Sequence, residues 1–140
     1  VDAFVQAYPN EEESEAQNVD TLIRLPMLKI MSHKADQNGA PVYAYVFTYD
    51  ESSMGAYHGA EIPFVFHNIG NDSSTEVLAD QITQAWVNFA RTGIPSAEGL
   101  PEWEAYDREN GATMILDTES ELVYNHDKEL MTLLAPDYQY

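Results

Sequence analysis

A chain of 140 residues with 6 Lys and Arg against 24 Asp and Glu carries a formal charge of −18. That sign leaves no basic footprint to neutralise phosphates or anionic lipid headgroups, so neither nucleic acid nor a membrane surface is expected as a partner. The absence of cysteine removes disulfides, thiolate metal sites and a thiol nucleophile together.

The hydrophobic share of 44% suits one modest globular domain. No apolar run reaches the ~20 residues of a bilayer-spanning helix. The acidity reads as a solvated surface, with halophily or a basic partner as the sharper alternatives. The first residues, Val1-Asp2-Ala3-Phe4, include neither an initiator Met nor a charged-then-apolar leader, as expected of a processed chain.

Asn10 followed by Glu13 has capping-box spacing and predicts an acidic helix to about Ile23. Its glutamates 11–13 suit a solvated first turn at the positive end of the helix dipole. Pro26 predicts the first turn of a second helix, with Met27, Ile30 and Met31 as its apolar face and Asn38-Gly39 as its stop. Residues 41–50, PVYAYVFTYD, are β-branched and aromatic with little alternation, which predicts a strand covered on both faces. A glycine-flanked segment, GAYHGAEIPFVF, occupies residues 55–66. Ser73 and Glu76 make a second capping box. After it, Leu78, Ile82, Ala85, Trp86 and Phe89 form one buried helical stripe, closed by Gly93 and Pro95. A Pro/Gly-rich loop leads to a strand, ATMILD, and a last helix spans 128–134. No internal repeat is present.

His58 is the leading candidate for chemistry. A neutral imidazole accepts and returns a proton near neutral pH. Its neighbours Gly55, Ala56, Gly59 and Ala60 leave room for a substrate, and α/β folds place their sites at the carboxyl ends of strands. A lone histidine is nonetheless more often structural or exposed, and the local pattern leaves both readings open. His58 and Glu61 also make an H-x-x-E pair. Gly59 within it and Pro63 after it oppose a regular helix, and no second such pair exists, so no metal is expected. Glu61 reads instead as a buried, hydrogen-bonded carboxylate. His33 is expected to be solvated, His67 half-buried without an identifiable partner, and His126 near the start of the last helix. Trp86 and Phe89 read as core. The chain has no G-x-S-x-G, no phosphate-cradling glycine loop and no H-E-x-x-H.

Taken together, APVYAYVFTYD, GAYHGAEIPFVF, AWVNFARTGIPSAEGLPEWEAYD and ATMILD resemble, in order and spacing, the C-terminal part of type-B carboxylesterases, the family of cholinesterases and para-nitrobenzyl esterases. The resemblance covers roughly Pro26 to Leu134. It implies an α/β fold in which residues 1–140 are the C-terminal segment of one α/β-hydrolase domain. It also implies a small-molecule ester substrate and no cofactor. The family triad runs serine, acid, histidine. Its histidine block falls on His58 as general base, with Gly59 and Glu61 supporting the histidine loop and Met54 and Tyr57 facing the substrate pocket. Ala60 stands where cholinesterases resemble one another in carrying tyrosine, which favours a general or aryl ester over a choline-type one.

The departure from the family pattern is the missing nucleophile elbow. Only 57 residues precede His58, too few for the family's serine and acid. The expectation is a segment inactive alone, which associates with the missing N-terminal portion or with itself through open sheet edges. A non-catalytic, adhesion-type binding module is the alternative.

Overall fold

The computed structural model describes residues 1–19, 21–50, 55–70 and 75–138. Among these residues, five α-helices, a 3₁₀ helix and three strands follow in the order α1 (Asp2–Ala7), the 3₁₀ helix (Glu13–Asn18), α2 (Thr21–Asp36), β1 (Ala44–Phe47), α3 (Ile62–Val65), α4 (Glu76–Thr92), β2 (Thr113–Leu116), β3 (Glu121–Val123) and α5 (Lys128–Leu134). The sheet order is β1-β2-β3. β1 runs parallel to β2 with Ala44 opposite Thr113, and β2 runs antiparallel to β3. Parallel neighbours require a long crossover, and α3 and α4 lie within it.

β2 is central, and its apolar run is explained by burial: Ala112, Met114 and Leu116 are fully enclosed. α4 packs over this face. Leu78, Ala79, Ile82 and Ala85 are buried against Phe64, Trp103, Met114 and Leu116. Trp86 is half-buried against the same core. Phe89, expected in it, is 47% exposed, its ring edge-on to Tyr43 with centroids 6.0 Å apart. It lies one turn beyond Ala85, the last fully buried residue of the stripe. Gly93 closes α4 at φ 80, its N–H bonded to the Phe89 carbonyl. Thr75 is the N-cap, and Ser73 of the expected capping box lies outside the described residues.

The strand expected over 41–50 is shorter, Ala44–Phe47, and is an edge strand among the described residues. Tyr45 on it is 38% exposed, so it is not covered on both faces.

A second core joins Phe4, Leu28, Leu130 and Met131 from α1, α2 and α5. Here the expected acidic helix is replaced by the 3₁₀ helix, with Glu12 as N-cap and no side-chain cap bond. A helix polar all round has no stripe to bury, and residues 11–15 are exposed. α2 starts at Thr21, earlier than expected, with Pro26 inside it. Its buried face is also rotated from the expected one. Leu28 and Ser32 face inward, while Met27 and Ile30 are 45% and 60% exposed. The Ser32 hydroxyl is satisfied at 3.3 Å from the Tyr106 hydroxyl.

Candidate active site around His58

β1 delivers the chain to the histidine turn. Ala60 N–H donates to the Tyr57 carbonyl at 2.9 Å, so Tyr57–Ala60 closes a turn with His58 and Gly59 at its centre. Gly59 has φ +86, the left-handed value that the second central position of a type II turn requires. Ile62 N–H then donates to the Gly59 carbonyl at 3.1 Å, and α3 begins. A side chain at the apex of such a turn is displayed outward. His58 is exposed, and among the described residues no hydrogen bond or ion pair engages its ring.

Glu61 is half-buried rather than buried, and it is hydrogen-bonded as expected: Tyr45 Oη donates to its Oε1 at 3.2 Å. The Tyr45 hydroxyl is pushed up to about 12, first by burial and then by the Glu61 charge and the bond itself. The Tyr45 ring stands edge-on to Trp86 and Trp103, at 5.1 and 6.4 Å between centroids. Trp103 is in turn fixed by its buried indole N–H, which donates to the Ala44 carbonyl at 3.1 Å. The Glu61 carboxylate therefore faces β1 and not the His58 ring, and the H-x-x-E pair does not converge.

Tyr57 is 52% exposed. With Phe47, Tyr49, Ala60, Phe64 and Ile69 it lines a cleft of about 290 Å³ beside the turn. Tyr49 and Phe64 pack edge to face at 5.6 Å within it. Met54 lies outside the described residues.

The other histidines lie apart from this turn. His33 is exposed on α2. His67 is exposed, not half-buried, and does have a partner: its Nε2 is 2.8 Å from Asp80 Oδ1. It also holds a left-handed φ of 51. His126 precedes α5, with Nε2 3.1 Å from Asp127 Oδ2.

Asp127 is the centre of a cluster that spacing in sequence does not reveal. Tyr8 Oη donates to its Oδ1, and Arg24 Nε is 3.1 Å from its Oδ2. Burial alone would raise the Asp127 carboxyl. Hydrogen bonds from His126 and Tyr8, with the charges of His126 and Arg24, outweigh that and hold it at about 2. The Tyr8 hydroxyl is pushed above its ordinary value by burial and by Asp127.

The parallel pair β1-β2 and its helical crossover make this an α/β fold, and the solved structures it superposes on are carboxylesterases of the α/β-hydrolase fold. Residues 8–132 match the carboxylesterase family, and the chain belongs to that family. It is 33% identical over 142 residues to the para-nitrobenzyl esterase of Bacillus subtilis, covering 92% of this chain and 28% of that protein. It is 36% identical over 104 residues to the human cocaine esterase, covering 64% of this chain and 18% of that one. Among solved structures, an esterase of Clostridium hathewayi described as hydrolysing aliphatic aromatic polyesters superposes with a TM-score of 0.79 at 29% identity, over 94% of this chain and 28% of that one. A Geobacillus stearothermophilus carboxylesterase superposes at 0.76 with 29% identity, over 91% and 30%. The chain thus spans less than a third of the length of these relatives.

Proposed function

We propose that this chain supplies the histidine general base of a serine-dependent carboxylic ester hydrolase. The observation that carries the reading is the display of His58 on a two-residue apex just beyond β1, its ring unengaged among the described residues. In such a triad the imidazole takes the serine hydroxyl proton as the oxygen attacks the ester carbonyl. It then protonates the departing alcohol. A water molecule repeats the cycle and releases the acid. The serine, the acid and the oxyanion-hole amides lie in a portion outside these 140 residues. Tyr57 and the aromatic cleft beside it favour an ester with an apolar or aryl group.

The sheet edge at β1 is the surface along which that portion, or a second copy, adds a strand. A size measurement on the isolated chain is expected to show association; a compact monomer opposes this.

The test of the catalytic reading is a chimera in which residues 8–132 replace the matching region of the Bacillus subtilis relative. It is expected to hydrolyse para-nitrophenyl butyrate. His58→Ala is expected to lower kcat on the order of 10⁶-fold, while the 140-residue chain alone gives no turnover. A folded chimera equally active with alanine at this position would sink the proposal.

A further inference from the structure

We infer that Tyr45 is a positioning residue for the His58 turn, acting through Glu61. The functional part of this inference rests on the role proposed for His58; the structural part does not. Among the described residues, the Tyr45–Glu61 bond is the side-chain hydrogen bond that reaches residues 55–61. Backbone bonds such as Ala60 to Tyr57 shape the turn, and Ile62 to Gly59 joins it to α3, where Phe64 packs on Phe47 and Tyr49 and its carbonyl accepts from Thr83 of α4. Those backbone bonds set the shape of the turn, and the α3 contacts hold its C-terminal side; neither ties the turn itself to Tyr45. Glu61 directly follows the Tyr57–Ala60 turn, and its carboxylate is the side-chain hydrogen-bond tie back to β1.

The other end of this tie is rigid. Tyr45 is on β1, whose register against β2 is set by four consecutive pairs from Ala44–Thr113 to Phe47–Leu116. Its ring is braced edge-on by Trp86 of α4 and by Trp103, and Trp103 is pinned to the Ala44 carbonyl. An aromatic ring held on two edges has one direction for its hydroxyl. The phenol also keeps its proton across the working range, because burial and the facing carboxylate favour the neutral form. It is a permanent donor aimed at one acceptor. The packing of α4 and the tryptophan loop is thereby transmitted to the height of the histidine turn above the sheet.

The experiment is hydrogen exchange on the 140-residue chain, comparing residues 55–61 with α4. Tyr45→Phe keeps the ring and its edge contacts and deletes the hydroxyl. Removal of one net hydrogen bond of about 1 kcal/mol corresponds to roughly 5-fold faster exchange in 55–61, with α4 unchanged. Glu61→Ala is expected to match it, the double variant to exceed neither, and Glu61→Gln, which retains an acceptor, to stay within about 2-fold of the parent. Unchanged exchange in 55–61, or an equal rise in α4, overturns the inference. In the chimera described above, Tyr45→Phe is expected to lower kcat about 5-fold with KM unmoved; a raised KM with unchanged kcat overturns the functional part. A chimera inactive in every form defeats the esterase reading, and the exchange result still decides on Tyr45.

Discussion

The core between the sheet and α4 and the core between α1, α2 and α5 are held by different forces. The first is apolar and aromatic. Met114, Leu116 and Ile82 are fully enclosed, Phe47 packs on Phe64 at 5.2 Å, and Trp86 on Trp103 at 6.2 Å between ring centroids. The second has four buried apolar residues, and at its edge a charged cluster in which Asp127 gathers Tyr8, Arg24 and His126. Apolar burial is indifferent to pH and direction. A half-buried carboxylate in a cluster of partners is sensitive to both, and losing a partner leaves a charge less well solvated. The His58 turn, β1 and the aromatic brace all sit on the first core. The second is expected to loosen with little effect on the site.

The strongest way to break that contrast is to cut the first core. Met114→Ala removes a fully enclosed side chain from the central strand. It should cost about 2–5 kcal/mol, read as a fall in the denaturant midpoint, with faster exchange in 55–61. A loss under about 1 kcal/mol would mean the sheet is not the framework of the site. Asp127→Ala tests the other side. It strips Tyr8 of its acceptor and Arg24 of its ion-pair partner and should cost about 2 kcal/mol. The added exchange should fall in α1 and α5, with α4 and residues 55–61 little changed. Uniform loosening would show that the two cores unfold as one unit.

Acid sharpens the comparison further. The folded Asp127 carboxyl sits at about 2, below its unfolded value of 3.8. A depressed carboxyl contributes stability that is present above the unfolded pKa and is lost as pH falls from about 4 toward 2. The contribution is about 2 kcal/mol. It should appear as the difference between the parent and Asp127→Ala across that window, in unfolding monitored by circular dichroism. Parallel pH curves for the two proteins would remove Asp127 as the pH-sensitive element.

How legible each region was in the sequence follows the same division. The stripe of α4, its stop at Gly93, the strand at 112–117 and the helix at 128–134 could be read because periodicity and glycine chemistry are local signals. His58 stood out through its small neighbours, and its display on a turn follows from Gly59. What could not be read depends on partners distant in the chain. Tyr8 and Asp127 are 119 residues apart, and Tyr45 and Glu61 meet only because the turn folds back over β1. Local signals also misled where solvent took a face assigned to the core, at Phe89 and at Met27 and Ile30. β3 escaped notice because Glu121–Val123 is three residues long and begins with an exposed glutamate.

The smallest expected effect separates backbone from packing in each region. Gly93 ends α4 of the first core at φ +80, and a Cβ built there meets nothing within 4 Å. Any cost of Gly93→Ala is therefore conformational, the price of forcing an L-residue into the left-handed region, and should be about 1 kcal/mol. Gly39 follows α2 of the second core and is equally open, but its φ is not in that region. Gly39→Ala should therefore be stabilising by about 0.5 kcal/mol, because alanine restricts the unfolded chain more than the folded one. Thermal unfolding of the two variants should move the midpoint in opposite directions. A fall in both would mean that Gly39 does not tolerate a side chain after all. No fall at Gly93 would mean that the left-handed cap does not terminate α4, and that the helix runs on toward Pro95.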